Sequence, residues 1–350
     1  VKIAKKSLYL GKPDIGCYPI HANMTSILSN HPSYKNWLFT NYMQLRLDLY
    51  QASDSSIAEE YYMEFYQPLM REYHPLLNIH SLSRKIIHIT DINILDFLIK
   101  SVQCGNYIYA LIDRQFISEY NMKESSMHDL FIYGYDLDKK VFYIADYFSS
   151  PFPTYKHCKA TFDEIEKAFK EKINYSDDLW DDIFGIQIIS LNKWKKYEFN
   201  LEYFMQSLND YINSTNTARK FELIEGIPAK MPELQLHGSL DPKFGMSIYD
   251  RLCDLADFNP QFLRAMHILY EHKVCMTKRV AFFGEIGLLD GDLYMNYFIE
   301  IEKRAETLRN YIIKQILKNN NSKRKKMISM ITELASLELE CLGKLSLALK

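Results

Sequence analysis

The sequence has no apolar run near the roughly 20 residues that a membrane-spanning helix needs. It also has almost no charge imbalance: 42 Lys and Arg stand against 44 Asp and Glu, a formal charge of −2. The first absence argues against a membrane span. The second argues against a nucleic-acid or membrane-surface footprint spread over the whole chain. None of the six cysteines (Cys17, Cys104, Cys158, Cys253, Cys275 and Cys341) belongs to a CxxC pair. Zinc-ribbon and thioredoxin-type readings therefore fall away, and reduced thiols in a cytoplasmic protein are expected. An HExxH pattern is missing too, because His267 and His272 flank Glu271 at i, i+5, and His74, His80, His88 and His157 show no ligand spacing. No metal and no resident cofactor are expected. Residues 1–10 contain two adjacent lysines but no apolar segment or small-residue cleavage site, so no secretion signal is read there. Repeats and low-complexity stretches are absent apart from Asn319-Asn320-Asn321.

What remains is globular. The 350 residues are 47% hydrophobic and include 26 tyrosines and 20 phenylalanines, enough for a sizeable core. At roughly 100–200 residues per domain the length suggests two domains. Residues 1–195 read as mixed α and β. A helix is expected from His21, after the turn-rich run Pro13 to Pro19, and residues 34–71, aromatic-rich without a clean period, are expected to form one or two surface-exposed helices. The β-branched residues 86–90 look like a strand, residues 92–100 like a helix capped by Asp91, and residues 107–113 (YIYALID) like a buried strand. Residues 130–135 and 141–145, joined by the polar turn 136–140, have the pattern of a β-hairpin. Thr161 followed by Glu164 marks a capping box, and residues 184–191 read as a closing strand. From about Glu198 the spacing turns helical, with long amphipathic segments at 261–283, 293–318 and 325–349. The expected organisation is an α+β catalytic domain at 1–195 followed by an all-α domain at 196–350, which would serve as a lid.

One constellation carries chemistry. Cys17 stands just ahead of the first helix, where free N–H groups and the helix dipole favour a thiolate and hold a developing oxyanion. A Cys at that position also fits plain packing. His128 precedes the first hairpin strand and Asp146 follows the second, so folding about residues 137–138 brings them together at the hairpin's open end. There the imidazole can donate Nδ1–H to the carboxylate and leave Nε2 to take a proton from a thiol. The plain alternative is a strand-initiating His and a turn-forming Asp. His21, four residues past Cys17, could tune the thiol, but packing or solvent exposure is the favoured reading. Asp136 and Asp138 compete for the orienting role but belong to the closed end of the hairpin.

The order Cys, His, Asp, with the Cys heading a helix and the others on a later hairpin, resembles papain-like enzymes. The run from His128 to Asp136 and the run from Val141 to Asp146 resemble the hairpin of bacterial cysteine peptidases, and most of all the N-terminal domain of the butirosin biosynthesis protein H family. Lys243 to Tyr249 and Glu333 to Leu342 are similar to that family's aromatic–Gly segment and acidic terminal helix. The resemblance is diffuse, spans most of the chain and is specific at three positions. It implies a papain-like fold and an acyltransferase that moves an acyl or peptidyl group from a carrier-protein thioester to a small-molecule amine in specialised-metabolite biosynthesis. Cys17 would be the nucleophile, His128 the general base and acid, and Asp146 the orienting group; phosphopantetheine would come with the carrier. Papain-type enzymes place a Gln several residues before the Cys, whereas this chain has Gly11 and Lys12. The oxyanion donors are then sought in the Cys17 backbone, the amide of Asn23 and the Lys12 ammonium. Two alternatives remain open: hydrolysis of the acyl-enzyme by a peptidase or thioesterase, and a non-catalytic scaffold of the same fold.

Overall fold

A computed structural model describes residues 3–50, 60–66, 74–90, 92–148, 154–170, 185–217, 241–320 and 322–350. The chain is an α+β protein, an antiparallel-sheet domain followed by a C-terminal helical region. It divides into two compact units, Val1–Pro32 with Arg71–Lys196, and Ser33–Met70 with Tyr197–Lys350.

The first unit is built on an antiparallel sheet of seven strands: β1 (Lys5–Ser7), β4 (Leu77–Leu82), β5 (Tyr107–Asp113), β6 (Met127–Asp136), β7 (Val141–Phe148), β8 (Thr154–Thr161) and β9 (Ile186–Leu191). The order is β4-β9-β5-β6-β7-β8, with β1 paired to the far end of β6. The β6–β7 hairpin and its polar turn are those the alternation predicts. Alternate residues Ile108, Ala110 and Ile112, Leu130 and Ile132, and Ile144 and Phe148 turn to one face. There they meet Leu98 and Val102 of α4 (Ile94–Gln103) and Ile165, Ala168 and Phe169 of α5 (Phe162–Lys170). The capping box on α5 forms in both directions: Thr161 N–H donates to Glu164 Oε2 at 2.6 Å and Glu164 N–H to Thr161 Oγ1 at 3.2 Å. On α4 the cap is Asn93, whose Oδ1 accepts from Asp96 N–H at 2.9 Å, while Asp91, expected in that role, lies outside the described residues.

Residues 86–90 are not the strand that their β-branched composition suggests; 86–89 belong to helix α3 (Arg84–Ile89) and Thr90 is its C-cap. Tertiary contacts override propensity here. Ser83 Oγ accepts from Lys85 N–H at 3.2 Å, and the buried Arg84 guanidinium donates to Leu111 O at 2.9 Å and Phe169 O at 2.8 Å. Those two bonds tie the short helix to β5 and α5.

The second unit corrects two expectations about residues 34–71. Helix α2 (Tyr34–Asn41) is not surface-exposed: Tyr34, Trp37, Leu38, Phe39 and Thr40 are buried. The stretch after it is a hairpin, β2 (Leu45–Tyr50) with β3 (Glu60–Phe65), which β10 (Lys243–Phe244) extends into a three-stranded sheet. Leu45, Leu47 and Leu49 pair with Phe65, Met63 and Tyr61 on the buried face. Because the hairpin partners β10, it belongs with the later part of the chain. Neither unit is a continuous stretch of chain: residues 33–70 group with the residues after Lys196.

The helices of the second unit follow the predicted periodicity: α6 (Leu201–Ile212), α7 (Ile248–Asp254), α8 (Pro260–Glu285), α9 (Gly291–Leu317) and α10 (Arg324–Ala348). The buried face of α9 is Phe298, Ile301, Ala305, Leu308, Ile312 and Gln315. That of α10 combines Leu334, Cys341 and Leu345 with a carboxylate, Glu338. Glu338 is satisfied by Lys273 Nζ at 2.5 Å and Tyr249 Oη–H at 2.5 Å. Lys273 spends its other protons on Tyr211 Oη and His272 Nδ1, both at 3.1 Å, and His272 Nε2–H donates to Met43 O at 2.8 Å. Four helices are pinned by one buried polar network.

Candidate functional site

The site depends on a bulge. β6 and β7 pair Asp136 with Val141, Tyr135 with Phe142 and Gly134 with Tyr143, and then the register slips, so that Ile132 meets Ile144 and Phe131 meets Ala145. Tyr133 is the inserted residue. Side chains alternate along a strand, so a one-residue slip exchanges the faces of everything beyond it. Without Tyr133, Asp146 would share a face with Phe131. With it, Asp146 shares the face of Ile132, Leu130 and His128, diagonally across the strand pair from the imidazole. Gly134 makes the bulge possible: a Cβ there would lie 2.5 Å from Tyr143 Cδ2 and 2.7 Å from the Lys6 carbonyl oxygen.

His128 Nδ1 lies 3.1 Å from Asp146 Oδ2 and 2.9 Å from the Asp129 carbonyl oxygen. Both partners are acceptors, so Nδ1 carries the proton and Nε2 is the nitrogen left to act as a base. The His128 side chain is 31% exposed and that of Asp146 1%. Burial disfavours the imidazolium, but the hydrogen bond and charge of Asp146, with help from Asp129, outweigh it and raise the His128 pKa above its ordinary value. Asp146 Oδ2 accepts a second hydrogen bond, from the Tyr120 hydroxyl. The Tyr120 ring packs 4.7 Å from Phe148 and edge-on to His128 at 6.0 Å, centroid to centroid.

Cys17 is half-buried, two residues before α1 (Pro19–Leu28). Pro19 at the first helical position and the extended Tyr18 before it set the entry to the helix. Two hydrogen bonds hold α1, and a third ties the segment before it to β6. Leu8 N–H donates to Tyr133 O at 2.8 Å and Gly11 N–H to Ser26 O at 3.0 Å, which brings the C-terminal half of α1 close to the bulge. Tyr155 Oη–H donates to Asn23 Oδ1 at 2.6 Å, and Tyr155 is the neighbour on β8 of Lys156, the residue opposite Asp146. These bonds fix the course of α1 against the β6–β8 part of the sheet; the candidate residues that the structure brings into direct contact are His128 and Asp146.

Of the oxyanion candidates, Lys12 is exposed and Asn23 is buried. With Asn23 Oδ1 held by Tyr155, its Nδ2 is left as a buried donor without a hydrogen-bond partner among the described residues. His21 is buried in α1 with its ring 6.4 Å from that of Tyr18. Asp136 accepts from Lys139 N–H at 3.0 Å and so closes the hairpin turn at the end away from His128. Tyr120 and the bulge were not foreseen from the sequence. Gly134 inside a strand pattern is a signal for a bulge; the 3₁₀ turn Ser118–Tyr120 carries no pattern that singles out its tyrosine. Among the described residues no three His, Cys, Asp or Glu side chains are grouped to hold a metal, and no helix is long and apolar enough to cross a membrane. No protein-family model and no curated protein matches the chain.

Proposed function

We propose that this protein is a papain-like cysteine acyltransferase of the butirosin biosynthesis protein H type, forming an amide from a carrier-borne thioester and a small-molecule amine. In the first step the Cys17 thiolate attacks the thioester carbonyl, the carrier's thiol leaves, and the proton held on His128 Nε2 goes to that thiol. In the second step the amine attacks the Cys17 acyl-enzyme, His128 takes the amine's proton, and the Cys17 thiolate departs. Asp146 keeps the neutral imidazole of the acyl-enzyme in the Nδ1–H tautomer and favours the imidazolium that pairs with the Cys17 thiolate before the first step and is restored at the end of the second. Exchange of one thioester for another is nearly isoenergetic, and aminolysis to an amide runs downhill, so no other energy source is needed.

The observation that supports this reading is the buried Asp146 carboxylate on His128 Nδ1, in the same compact unit as the Cys17 that precedes α1. The test is incubation with an acylated carrier protein and an amine, followed by mass spectrometry of protein and products. The expected result is a Cys17 acyl adduct that disappears as the amide accumulates. Free acid in place of amide would make the protein a thioesterase or peptidase. Folded protein with neither adduct nor product would leave only the scaffold reading.

A further inference from the structure

We infer that Tyr120 is a positioning residue for the His128–Asp146 pair: its hydroxyl occupies the same carboxylate oxygen as the imidazole and thereby sets how strongly Asp146 holds the His128 proton. The inference rests on the proposed role of His128, but its evidence and its test do not require Cys17 to react.

Asp146 Oδ2 receives both Tyr120 Oη–H and His128 Nδ1–H, while Oδ1 is buried without a hydrogen-bond partner among the described residues. A carboxylate oxygen that accepts two hydrogen bonds shares its charge between them, so each donor weakens the other's bond. Burial and the Asp146 charge hold the Tyr120 phenol well above its usual pKa, so it stays a donor at every pH near neutrality. The ring is fixed from several sides. It packs between Phe148 and His128, and its hydroxyl also reaches the Asp129 carbonyl at 3.4 Å. The turn that carries it is tied to α5 by Ser118 N–H donating to Glu164 Oε1 at 3.0 Å, and it ends on Asn121 in the left-handed region at φ 52°. The other charged groups around the pair are Asp129 and Arg114, which act on Tyr120 in opposite directions, and Lys156 across the strand from Asp146.

Tyr120 thus has an effect distinct from filling space. It stabilises ionised Asp146 when His128 is neutral, which is the state a general base needs. Without the hydroxyl, the ionised carboxylate beside a neutral imidazole is left with one donor, and the pair takes up its proton more readily. That uptake belongs to the pair as a coupled unit.

The test is an NMR titration of ¹³C,¹⁵N-histidine-labelled full-length protein, wild type against Tyr120→Phe and Tyr120→Leu, with the His128 signal assigned by His128→Gln. The expected result is that Tyr120→Phe, which keeps the ring and its packing, raises the midpoint by about half a pH unit or more. Incorporation of 3-fluorotyrosine, a stronger donor, moves it the other way. A Tyr120→Phe midpoint equal to the wild-type value would overturn the inference, and a shift seen only in Tyr120→Leu would assign the effect to packing instead. If Cys17 proves inert while these shifts appear, the catalytic reading fails and the positioning role stands.

Discussion

Replacing Glu338 by Ala perturbs the protein at the place where burial and charge compete most directly. Lys273 and Glu338 have 0% and 1% of their side chains exposed and meet at 2.5 Å. Removing one partner of such a pair leaves the other charge buried and uncompensated, at a cost of about 3–5 kcal/mol. Tyr249 and Tyr211 lose their acceptor at the same time. A domain of this kind is held by roughly 5–15 kcal/mol in all, and each kcal/mol shifts the midpoint by about 2–4 °C at this size, so Tm of the second unit should fall by roughly 6–20 °C. Lys273 offers a partial escape. Burial already holds its pKa below the usual ammonium range, against the opposing pull of Glu338. With Glu338 gone the pKa falls further. A depressed folded-state pKa contributes stability above the unfolded-state pKa and loses it as pH falls, so the defect should shrink toward alkaline pH and be full near neutrality. Lys273→Met combined with Glu338→Leu should recover most of the loss, because an apolar pair carries no desolvation penalty. Calorimetry of the full-length chain between pH 6 and pH 10 reads all three effects. A Glu338→Ala defect below about 1 kcal/mol, or one independent of pH, would refute this account of the network.

Other consequences follow from the sheet domain. Asp146→Asn removes the charge that opposes burial, so the His128 pKa should move from above its ordinary value to below it, as read by NMR titration. The linked stability reverses sign: wild-type His128 stabilises the fold below its unfolded-state pKa and loses that contribution as pH rises through the folded value, whereas in the variant acid is destabilising. Gly134→Ala should destabilise the first unit by about 1–3 kcal/mol in urea unfolding, since the new methyl meets Tyr143 and the Lys6 carbonyl where β1 and β7 close on the bulge. Thr161→Ala should cost about 0.5–2 kcal/mol through loss of the α5 cap.

The sequence made some elements legible and hid others, for identifiable reasons. The β6–β7 hairpin, the α5 cap and the long C-terminal helices were readable because local pattern and tertiary burial agree in them. Residues 86–90 misled because Arg84, outside the β-branched run, decides their structure through two buried carbonyls distant in sequence. The alternation of Leu45-Arg46-Leu47-Asp48-Leu49 was legible as a strand and was passed over within an aromatic-rich stretch; the third strand of its sheet, β10, lies nearly two hundred residues away, beyond any local pattern. For the candidate site, position along the chain correctly suggested that His128 and Asp146 meet. Folding about the turn alone would have put them on opposite faces. The bulge at Tyr133 corrects that, and nothing in a linear count of residues reveals it.

The central claim is that the His128 imidazole activates the Cys17 thiol. It is tested most directly by the rate of Cys17 alkylation with iodoacetamide at pH 6, followed by peptide mass spectrometry beside the exposed Cys104. The account predicts that Cys17 reacts at least about tenfold faster than Cys104, as expected of a thiolate held by an imidazolium, and loses that advantage in His128→Ala. Equal rates for the two cysteines, or a fast Cys17 indifferent to the loss of His128, would contradict it.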